Sequence, residues 1–223
     1  METLDSSRIT PVLDDMNLQF TVEKKRRLAR LSELSEAELE WLMVEHYQLS
    51  VRNPDFLSTA ATTTKAFAEP AVTEELQRNL KEENGRAATY KRALAEVGID
   101  VDRHVEFAPT TEFFAKVLAL ITDSPQCALG TIYATETAAR FEHEVFLDIS
   151  REIAGRRSRS WEQLRRFHEA HLAGVEPRHE GGLAELIDRV ARGGTGDIVF
   201  GAAAVIDAMD AWWNNLLAHV AKR

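Results

Sequence analysis

Glutamate and histidine side chains recur at positions of the sequence that should face the interior of helices. Between Thr73 and Val97, apolar residues recur every three or four positions, and Glu83 and Tyr90 fall on the same stripe. Glu82 falls one position off the stripe, so the sequence leaves open which of the two carboxylates points inward. A buried carboxylate is costly unless it is protonated, paired or bound to a cation. A carboxylate on this stripe is therefore a candidate for acid–base or metal chemistry.

A second stripe of this kind follows Pro125. Apolar residues recur along one face of the predicted helix. Glu136 and His143 lie on that face at two positions where the periodicity would place an apolar residue. The two residues are seven positions apart, which is two helical turns, so they share a face. A lone core histidine is more often structural, but a glutamate and a histidine on one apolar face favour a site.

The stretch from residue 167 to 180 is the richest, with three histidines and three glutamates. Glu176 and His179 are three positions apart, a spacing that lets two side chains meet one ion from a helix face. His171 precedes a break predicted at Gly174 and Pro177. Carboxylates and imidazoles on facing helices are the groups that bundles use to hold two metal ions.

A helical scaffold is needed to bring these side chains together, and helical signals dominate the sequence. Ser35 and Glu38 form a capping-box pattern, and glycine and proline cluster at a few breaks. Asn53-Pro54 is expected to end the helix that follows Ser35. The sequence predicts an all-α protein with one seven-helix bundle. Residues 1–34 are assigned to an N-terminal segment with the first helix, and residues 35–223 to the bundle.

Composition limits the classes of function. The chain has 223 residues with 27 Lys and Arg against 36 Asp and Glu, a formal net charge of −9. This balance disfavours binding to nucleic acid or to an anionic membrane surface. No apolar run approaches the ~20 residues that span a bilayer. The polar N-terminus and the single cysteine, Cys127, lead us to expect a cytoplasmic protein.

Four sequence segments resemble the haem-oxygenase-like diiron oxidases, a superfamily that includes thiaminase-II-like and pyrroloquinoline-quinone-synthase-like proteins. The segments are Glu45-His46-Tyr47 with Asn53-Pro54-Asp55-Phe56-Leu57, Asn79 to Gly85, Tyr133 to Thr137, and His171 with Glu176 and His179. The resemblance implies a seven-helix bundle with an enclosed site. It also implies a non-haem diiron oxidoreductase that uses dioxygen on a small metabolite in natural-product biosynthesis.

The resemblance assigns metal-binding roles to individual residues. Glu83 matches the family's first carboxylate ligand, and Glu136 matches the second or bridging one. His171 and His179 match the histidines of the His-x3-Asp-x2-His signature, and Glu176 stands in place of its aspartate. Together these residues imply a site for two iron ions per chain.

Two departures from the family pattern stand out. The histidine that family members carry one to two turns after the first carboxylate is absent, and Tyr90 lies on that face. His171 and Glu176 are five apart instead of four, so the helix needs a bulge or a bend there. His143 is either the replacement for the missing metal donor or a residue that supports the donors.

These departures keep two further hypotheses open. A metal-free cyclase, lyase or hydrolase would use Glu83, Glu136 and His179 for acid–base chemistry, with Tyr90 as a hydrogen-bond donor to the substrate or to Glu83. A non-catalytic subunit would retain the fold and stabilise a partner. In the enzymatic cases the partner is a small molecule, and the chain is expected to form a homodimer or a heterodimer with a pathway protein.

Overall fold

The computed structural model describes residues 9–28, 31–67, 69–191 and 195–221, and of Glu176 it describes the backbone alone. A π-helical turn at His171–Val175 joins the seventh and eighth α-helices. The α-helices in the described residues are α1 (Thr10–Leu28), α2 (Glu36–Thr63), α3 (Pro70–Glu83), α4 (Arg86–Glu96), α5 (Ala108–Asp123), α6 (Pro125–Arg157), α7 (Glu162–Ala170), α8 (Glu176–Val190) and α9 (Gly196–Val220).

Two pairs of consecutive helices each count as one helical arm with an interruption. α3 and α4 are separated only by Asn84-Gly85, and α7 continues through the π-helical turn into α8. Counted in this way and with α1 included, the described part of the chain forms seven helical arms, which confirms the predicted all-α helical bundle. Within the same ranges, no helix combines the length and the apolar character that crossing a membrane requires.

The 33-residue helix α6 is the central element, and its largest contact is with α9. Two glycines allow the backbones of α6 and α9 to approach closely. A Cβ atom at Gly130 would lie 1.9 Å from the Ile198 carbonyl oxygen, and one at Gly201 would lie 2.3 Å from the Cys127 carbonyl oxygen. No side chain fits either gap, so glycine sets the distance between the two helices.

Helix α2 begins as predicted but continues further than predicted. Ser35 caps it, and Glu38 Oε2 accepts a hydrogen bond of 2.6 Å from the Ser35 backbone N–H, which completes the capping box. The prediction that Asn53-Pro54 ends this helix is wrong, because α2 runs through Pro54 to Thr63. Burial of Phe56 and Leu57 in the core compensates for the backbone hydrogen bond that the proline cannot donate.

The helix predicted from Thr73 to Val97 is broken in the middle. Asn84 is extended, and Gly85 has a φ of 86°, a left-handed conformation that glycine adopts without a steric penalty. Because the helix is interrupted here, the residue spacing of a single helix does not carry over from α3 to α4. The seven-residue spacing of Glu83 and Tyr90 therefore no longer places them on one continuous face.

Candidate active site

A cavity of about 70 Å³ lies among the central helices. Helices α2, α3, α4, α5, α6, α7 and α9 and the π-helical turn contribute to its wall. The apolar part of the wall includes Leu49, Phe56, Phe113, Val117, Phe167 and Met209. The ionisable groups in the wall are His46, Glu83, Arg86, Glu136, Glu142, His143 and His171.

Glu83 is the inward carboxylate that the sequence left undecided between two neighbours. It is the last residue of α3 and lines the cavity, whereas the Glu82 side chain is 30% exposed and contacts Arg178 on α8. Glu83 Oε1 lies 2.9 Å from Nη1 of Arg86, the first residue of α4. The break at Gly85 brings the acid and the guanidinium together at the cavity wall.

Burial and the nearby negative charge of Glu136 raise the pKa of Glu83 to about 7, against the opposing effect of the Arg86 guanidinium. A carboxyl group with a pKa near 7 exchanges its proton at neutral pH, which is the property of a general acid or base. Glu83 is thus poised for proton transfer by its surroundings.

Glu136 is paired with His179 inside the bundle. Glu136 is 4% exposed and His179 is fully buried, and Glu136 Oε2 lies 2.8 Å from His179 Nδ1. Burial disfavours the charged imidazole, but the hydrogen bond to Glu136 and the charges of Glu136 and Glu83 outweigh it, so the pKa of His179 is raised. The pair can hold or move a proton next to the cavity.

The π-helical turn supplies the extra residue that the spacing of His171 and Glu176 required. It spans His171 to Val175, the five residues directly before Glu176. π-helical turns of this kind are frequent at functional sites. The Glu176 side chain lies outside the described residues, so its predicted role as a ligand stays a prediction.

His171 lines the cavity as a neutral imidazole. Its Nδ1 donates a hydrogen bond of 2.6 Å to the Phe167 carbonyl oxygen, and burial lowers its pKa to about 4. Its ring stacks on that of His143 with 4.0 Å between the centroids. The two predicted donors therefore lie together, on one side of the cavity.

His143 belongs to a group of buried imidazoles that also includes His46, His168 and His171. His143 Nδ1 lies 3.0 Å from His168 Nδ1, so one ring donates to the other. Burial lowers the pKa of His46 to about 3 and holds the pKa values of His143 and His168 well below the usual range. The cluster is uncharged at neutral pH.

Tyr90 was expected to donate a hydrogen bond to the substrate or to Glu83, and the structure corrects the second alternative, because the phenol bonds to His46. Its hydroxyl forms a 2.9 Å hydrogen bond with His46 Nδ1, and its ring stacks on Phe167 with 4.5 Å between the centroids. Tyr90 is absent from the cavity wall. The break at Gly85 explains the difference, because a seven-residue spacing places two residues on one face only within a continuous helix.

Arg86, Glu142 and His168 were not among the individual site residues predicted from the sequence. Arg86 follows Glu83 by three positions, and this acid–base spacing was the one available signal. Glu142 is 4% exposed and accepts a 3.2 Å hydrogen bond from Trp213 Nε1, and burial raises its pKa to about 7. His168 precedes His171 by three positions on the same helical arm.

In the described residues, the carboxylate donors are paired with other protein groups and are not gathered around a metal position. No three of the histidine, cysteine, aspartate and glutamate side chains that the structure describes are grouped so that they could hold a metal ion. Glu136 is bonded to His179, and Glu83 lies against the Arg86 cation, which would repel a metal cation. A metal ion bound through Glu136 Oε2 or Glu83 Oε1 would compete with these partners.

A family model described as "Domain of Unknown Function with solved-structure structure (DUF3865)" matches residues 6–219. The chain belongs to this family. The cavity and the Glu136–His179 pair described above are therefore features of a DUF3865 protein. Among curated proteins, no sequence matches the chain.

Solved structures similar to this DUF3865 chain share its fold. A CADD-like protein of unknown function from Nostoc punctiforme PCC 73102 is 21% identical with a TM-score of 0.84, covering 95% of this chain and 96% of that one. A TenA homologue from P. horikoshii OT3 is 14% identical with a TM-score of 0.72, covering 95% and 99%.

A third structure carries the name of the fold. It is a domain of unknown function with a heme oxygenase-like fold from Shewanella denitrificans OS217, 18% identical with a TM-score of 0.67, covering 96% of this chain and 89% of that one. At these identities the likeness establishes a shared architecture. The predicted haem-oxygenase-like fold is confirmed.

Proposed function

We propose that the chain is an enzyme that transforms a small molecule inside the cavity by general acid–base catalysis. The observation that carries this proposal is the presence of Glu83 and Glu136 on one cavity wall, in different electrostatic surroundings. Glu83 has a pKa raised to about 7, and Glu136 is hydrogen-bonded to His179. Carboxyl groups whose surroundings differ in this way divide the roles of acid and base.

Each side chain has a distinct role in this proposal. Glu83 gives a proton to the substrate or takes one from it, and the Arg86 guanidinium stabilises the carboxylate that remains after proton loss. Glu136 acts on the other reacting atom, and His179 replaces or removes the proton at Glu136 Oε2. The reaction classes that need these groups are cyclisation, elimination and hydrolysis.

The cavity wall supports a small and partly apolar substrate. The wall combines aromatic and aliphatic side chains with ionisable groups. Such a combination is typical of small-molecule sites, in which apolar contacts supply affinity and polar groups fix orientation. A metabolite of a natural-product pathway fits this description. The structural similarity to a TenA homologue is consistent with an enzymatic role.

The proposal can be tested without knowing the substrate. Metal-depleted protein is incubated with a mixture of small metabolites, and mass spectrometry follows which compounds are consumed. We expect turnover in the wild type and a loss of ~10²-fold or more in Glu83→Gln and Glu136→Gln, the range for removal of a general acid or base. Glu74→Gln, an exposed glutamate on the same helix as Glu83, is the matched control.

Two results would contradict the proposal. Turnover that survives both substitutions would exclude Glu83 and Glu136 as the acid and the base. Absence of turnover in every mixture, together with tight binding to a protein from the same pathway, would favour the non-catalytic subunit.

An iron- and dioxygen-dependent oxidase acting on a small natural-product metabolite is the second candidate, and the π-helical turn favours it. The turn adds the residue that the His171, Glu176 and His179 spacing requires. The hydrogen bond from His171 Nδ1 to a backbone carbonyl is also common among metal-binding histidines, because it leaves the other nitrogen free.

In this second proposal the iron-binding residues are Glu83, Glu136, His171 and His179, with His143 and Glu176 as further donors, and iron with dioxygen would supply the oxidation. Metal analysis of protein produced with added iron tests it. About two iron ions per chain, lost in Glu136→Ala and His179→Ala, would support the oxidase. Full turnover by iron-free protein would contradict it.

A further inference from the structure

We propose that a groove between α2 and α5 is a second binding site of the protein, and that it takes a small uncharged phenol. The groove has a volume of about 480 Å³, and its wall includes His104 and three phenylalanine side chains. Small-molecule sites typically have volumes of roughly 300–1,000 Å³. The proposal concerns binding at this groove and does not depend on the acid–base chemistry proposed for the cavity.

A buried carboxylate stands behind the groove. Glu45, on α2, is fully buried and does not belong to the cavity wall. Its Oε1 lies 2.9 Å from His104 Nε2, and its Oε2 accepts a 2.6 Å hydrogen bond from Thr110 Oγ1. Thr110 in turn accepts a 2.9 Å hydrogen bond from Trp212 Nε1. Burial of a carboxylate is tolerated when it is hydrogen-bonded, and both oxygens of Glu45 have a partner.

The direction of these hydrogen bonds determines which nitrogen of His104 carries the proton. The indole N–H of Trp212 can only donate, and Thr110 gives its own hydroxyl hydrogen to Glu45. An ionised carboxylate only accepts, so His104 Nε2 must donate to it. A neutral imidazole that is protonated on Nε2 presents a lone pair on Nδ1. His104 Nδ1 is therefore a hydrogen-bond acceptor.

This acceptor is open to the groove. His104 Nδ1 forms no hydrogen bond with any residue that the structure describes, and it is not sealed from solvent. The His104 side chain is 19% exposed and lies in the groove wall. A purely structural role would account for the buried side of the network, in which Glu45, Thr110 and Trp212 join α2, α5 and α9. The accessible Nδ1 is left over, and its orientation is fixed by Glu45.

Aromatic side chains surround the groove and favour an aromatic ligand. Phe56, Phe107 and Phe114 line it, and the rings of Phe56 and Phe114 meet edge to face with 5.9 Å between the centroids. Leu118, also in the wall, is 37% exposed. Aromatic rings attract one another in edge-to-face and offset arrangements beyond the effect of burial alone. A ring held by these side chains can direct a hydroxyl group at His104 Nδ1.

The charged groups of the groove wall favour a ligand without charge. Arg52 Nη1 lies 3.3 Å from Asp55 Oδ2, so the cation already has a partner. Glu106 Oε1 accepts a 2.8 Å hydrogen bond from Thr111 Oγ1. An ionised ligand would lose hydration without gaining an unpaired counter-ion in the described part of the wall. A phenol supplies both the ring and the hydroxyl donor and remains neutral at pH 7.

Nuclear magnetic resonance with p-cresol as the probe tests the site. Because Phe56 belongs to both the groove wall and the cavity wall, separate reporters are needed. In protein with ¹³C-labelled leucine methyl groups, Leu118 reports on the groove and Leu49 on the cavity. We expect p-cresol to shift the Leu118 signals in a saturable manner. In ¹⁵N-histidine-labelled protein, it should also shift the Nδ1 signal of His104.

A matched ligand isolates the hydrogen bond. 4-Methylanisole has the same ring as p-cresol but no O–H donor, and it should bind the groove roughly threefold to tenfold more weakly, the effect of one hydrogen bond between neutral groups. Equal affinity of the two ligands in the wild type would overturn the proposal. A shift of Leu49 by p-cresol without any shift of Leu118 would overturn it as well. Both comparisons use the unaltered protein and involve no turnover, so they are separate from the metabolite assay.

Three variants assign the contacts. His104→Gln can still donate to Glu45 but has no acceptor in place of Nδ1, so its affinity for p-cresol should fall to that for 4-methylanisole. Phe114→Ala should weaken the binding of both ligands. Phe200→Ala, at a 55% exposed position on α9, is the control and should change neither. An unchanged preference for p-cresol in His104→Gln would exclude His104 as the acceptor and overturn the proposed site.

Discussion

Glu83 and Arg86 belong to different helices, yet Glu83 Oε1 lies 2.9 Å from Arg86 Nη1 at the wall of the cavity. The left-handed Gly85 between them interrupts the helix, and the end of α3 and the start of α4 both contribute to the cavity wall. Burial and the charge of Glu136 raise the pKa of Glu83, and the Arg86 guanidinium limits this rise.

Arg86→Gln should therefore raise the pKa of Glu83 above about 7, because the substitution removes the cation that favours the carboxylate. The measurement is a pH titration by nuclear magnetic resonance with ¹³C-labelled glutamate side chains. Arg92→Gln, at an exposed position on the same helix, is the control. A pKa that stays constant or falls in Arg86→Gln would contradict the assigned role of the ion pair.

Glu142 predicts a dependence of stability on pH. Burial raises its pKa from 4.5 to about 7, while the hydrogen bond from Trp213 opposes the rise. The folded state therefore binds the proton more tightly than the unfolded chain, and the stability from this group is present below pH 4.5 and is lost as the pH rises to about 7.

Glu142→Gln removes this titration and keeps an acceptor for Trp213. The variant should be more stable than wild type at pH 8, by up to roughly 3 kcal/mol, and the difference should shrink towards pH 5. Urea unfolding at both pH values measures it. Asp148→Asn, on the exposed face of the same helix, should show no such trend. A gain in stability that is equal at both pH values would contradict the raised pKa of Glu142.

Tyr90→Phe should reduce the free energy of unfolding by about 1–3 kcal/mol, because it leaves the buried His46 Nδ1 without its partner. The stacking of the ring on Phe167 is unaffected. Urea unfolding is again the measurement, with the half-buried neighbour Tyr47 changed to Phe as the control. Equal stability of Tyr90→Phe and wild type would show that the hydroxyl bond contributes nothing.

Tyr90→His tests the position where the sequence departs from the diiron family. Because the Tyr90 side chain contacts His46 and not Glu83, an imidazole at this position would not join Glu83 as a second donor. We expect no increase in iron bound per chain, measured by metal analysis. Increased iron binding in Tyr90→His would mean that the two residues share a site.

Gly201→Ala should destabilise the protein by about 1–3 kcal/mol, because the new Cβ would lie 2.3 Å from the Cys127 carbonyl oxygen and force α6 and α9 apart. Gly155→Ala, in an open position of α6, is the matched control and should stabilise by about 0.5–1 kcal/mol through its higher helix propensity. Thermal unfolding compares the two. A tolerated Gly201→Ala would contradict the close approach.

The sequence predicted the architecture better than the arrangement within it. Apolar residues at intervals of three and four identified the helices, and the capping box at Ser35 placed the start of α2 correctly. Periodicity also placed Glu136 and His143 on the buried face of α6. These features depend on local spacing, which a sequence records directly.

Contacts between helices could not be predicted in the same way. The pairing of Glu136 with His179 joins residues 43 positions apart, and that of Tyr90 with His46 joins residues 44 apart. Neither partner can be chosen from spacing within one helix. The break at Gly85 added an error of a different kind. Tyr90 and Leu94 are buried as predicted, but the helix is interrupted at Gly85, so Tyr90 does not meet Glu83.

The π-helical turn determines the rotational phase of α8. Each residue of an α-helix turns the chain by about 100°, so the number of residues between His171 and Glu176 sets the direction in which every later side chain of α8 points. Deleting one residue from the turn would convert it to an ordinary α-helical turn and rotate His179 away from Glu136. The length of this turn, more than the identity of its side chains, is what keeps an imidazole behind the cavity carboxylate.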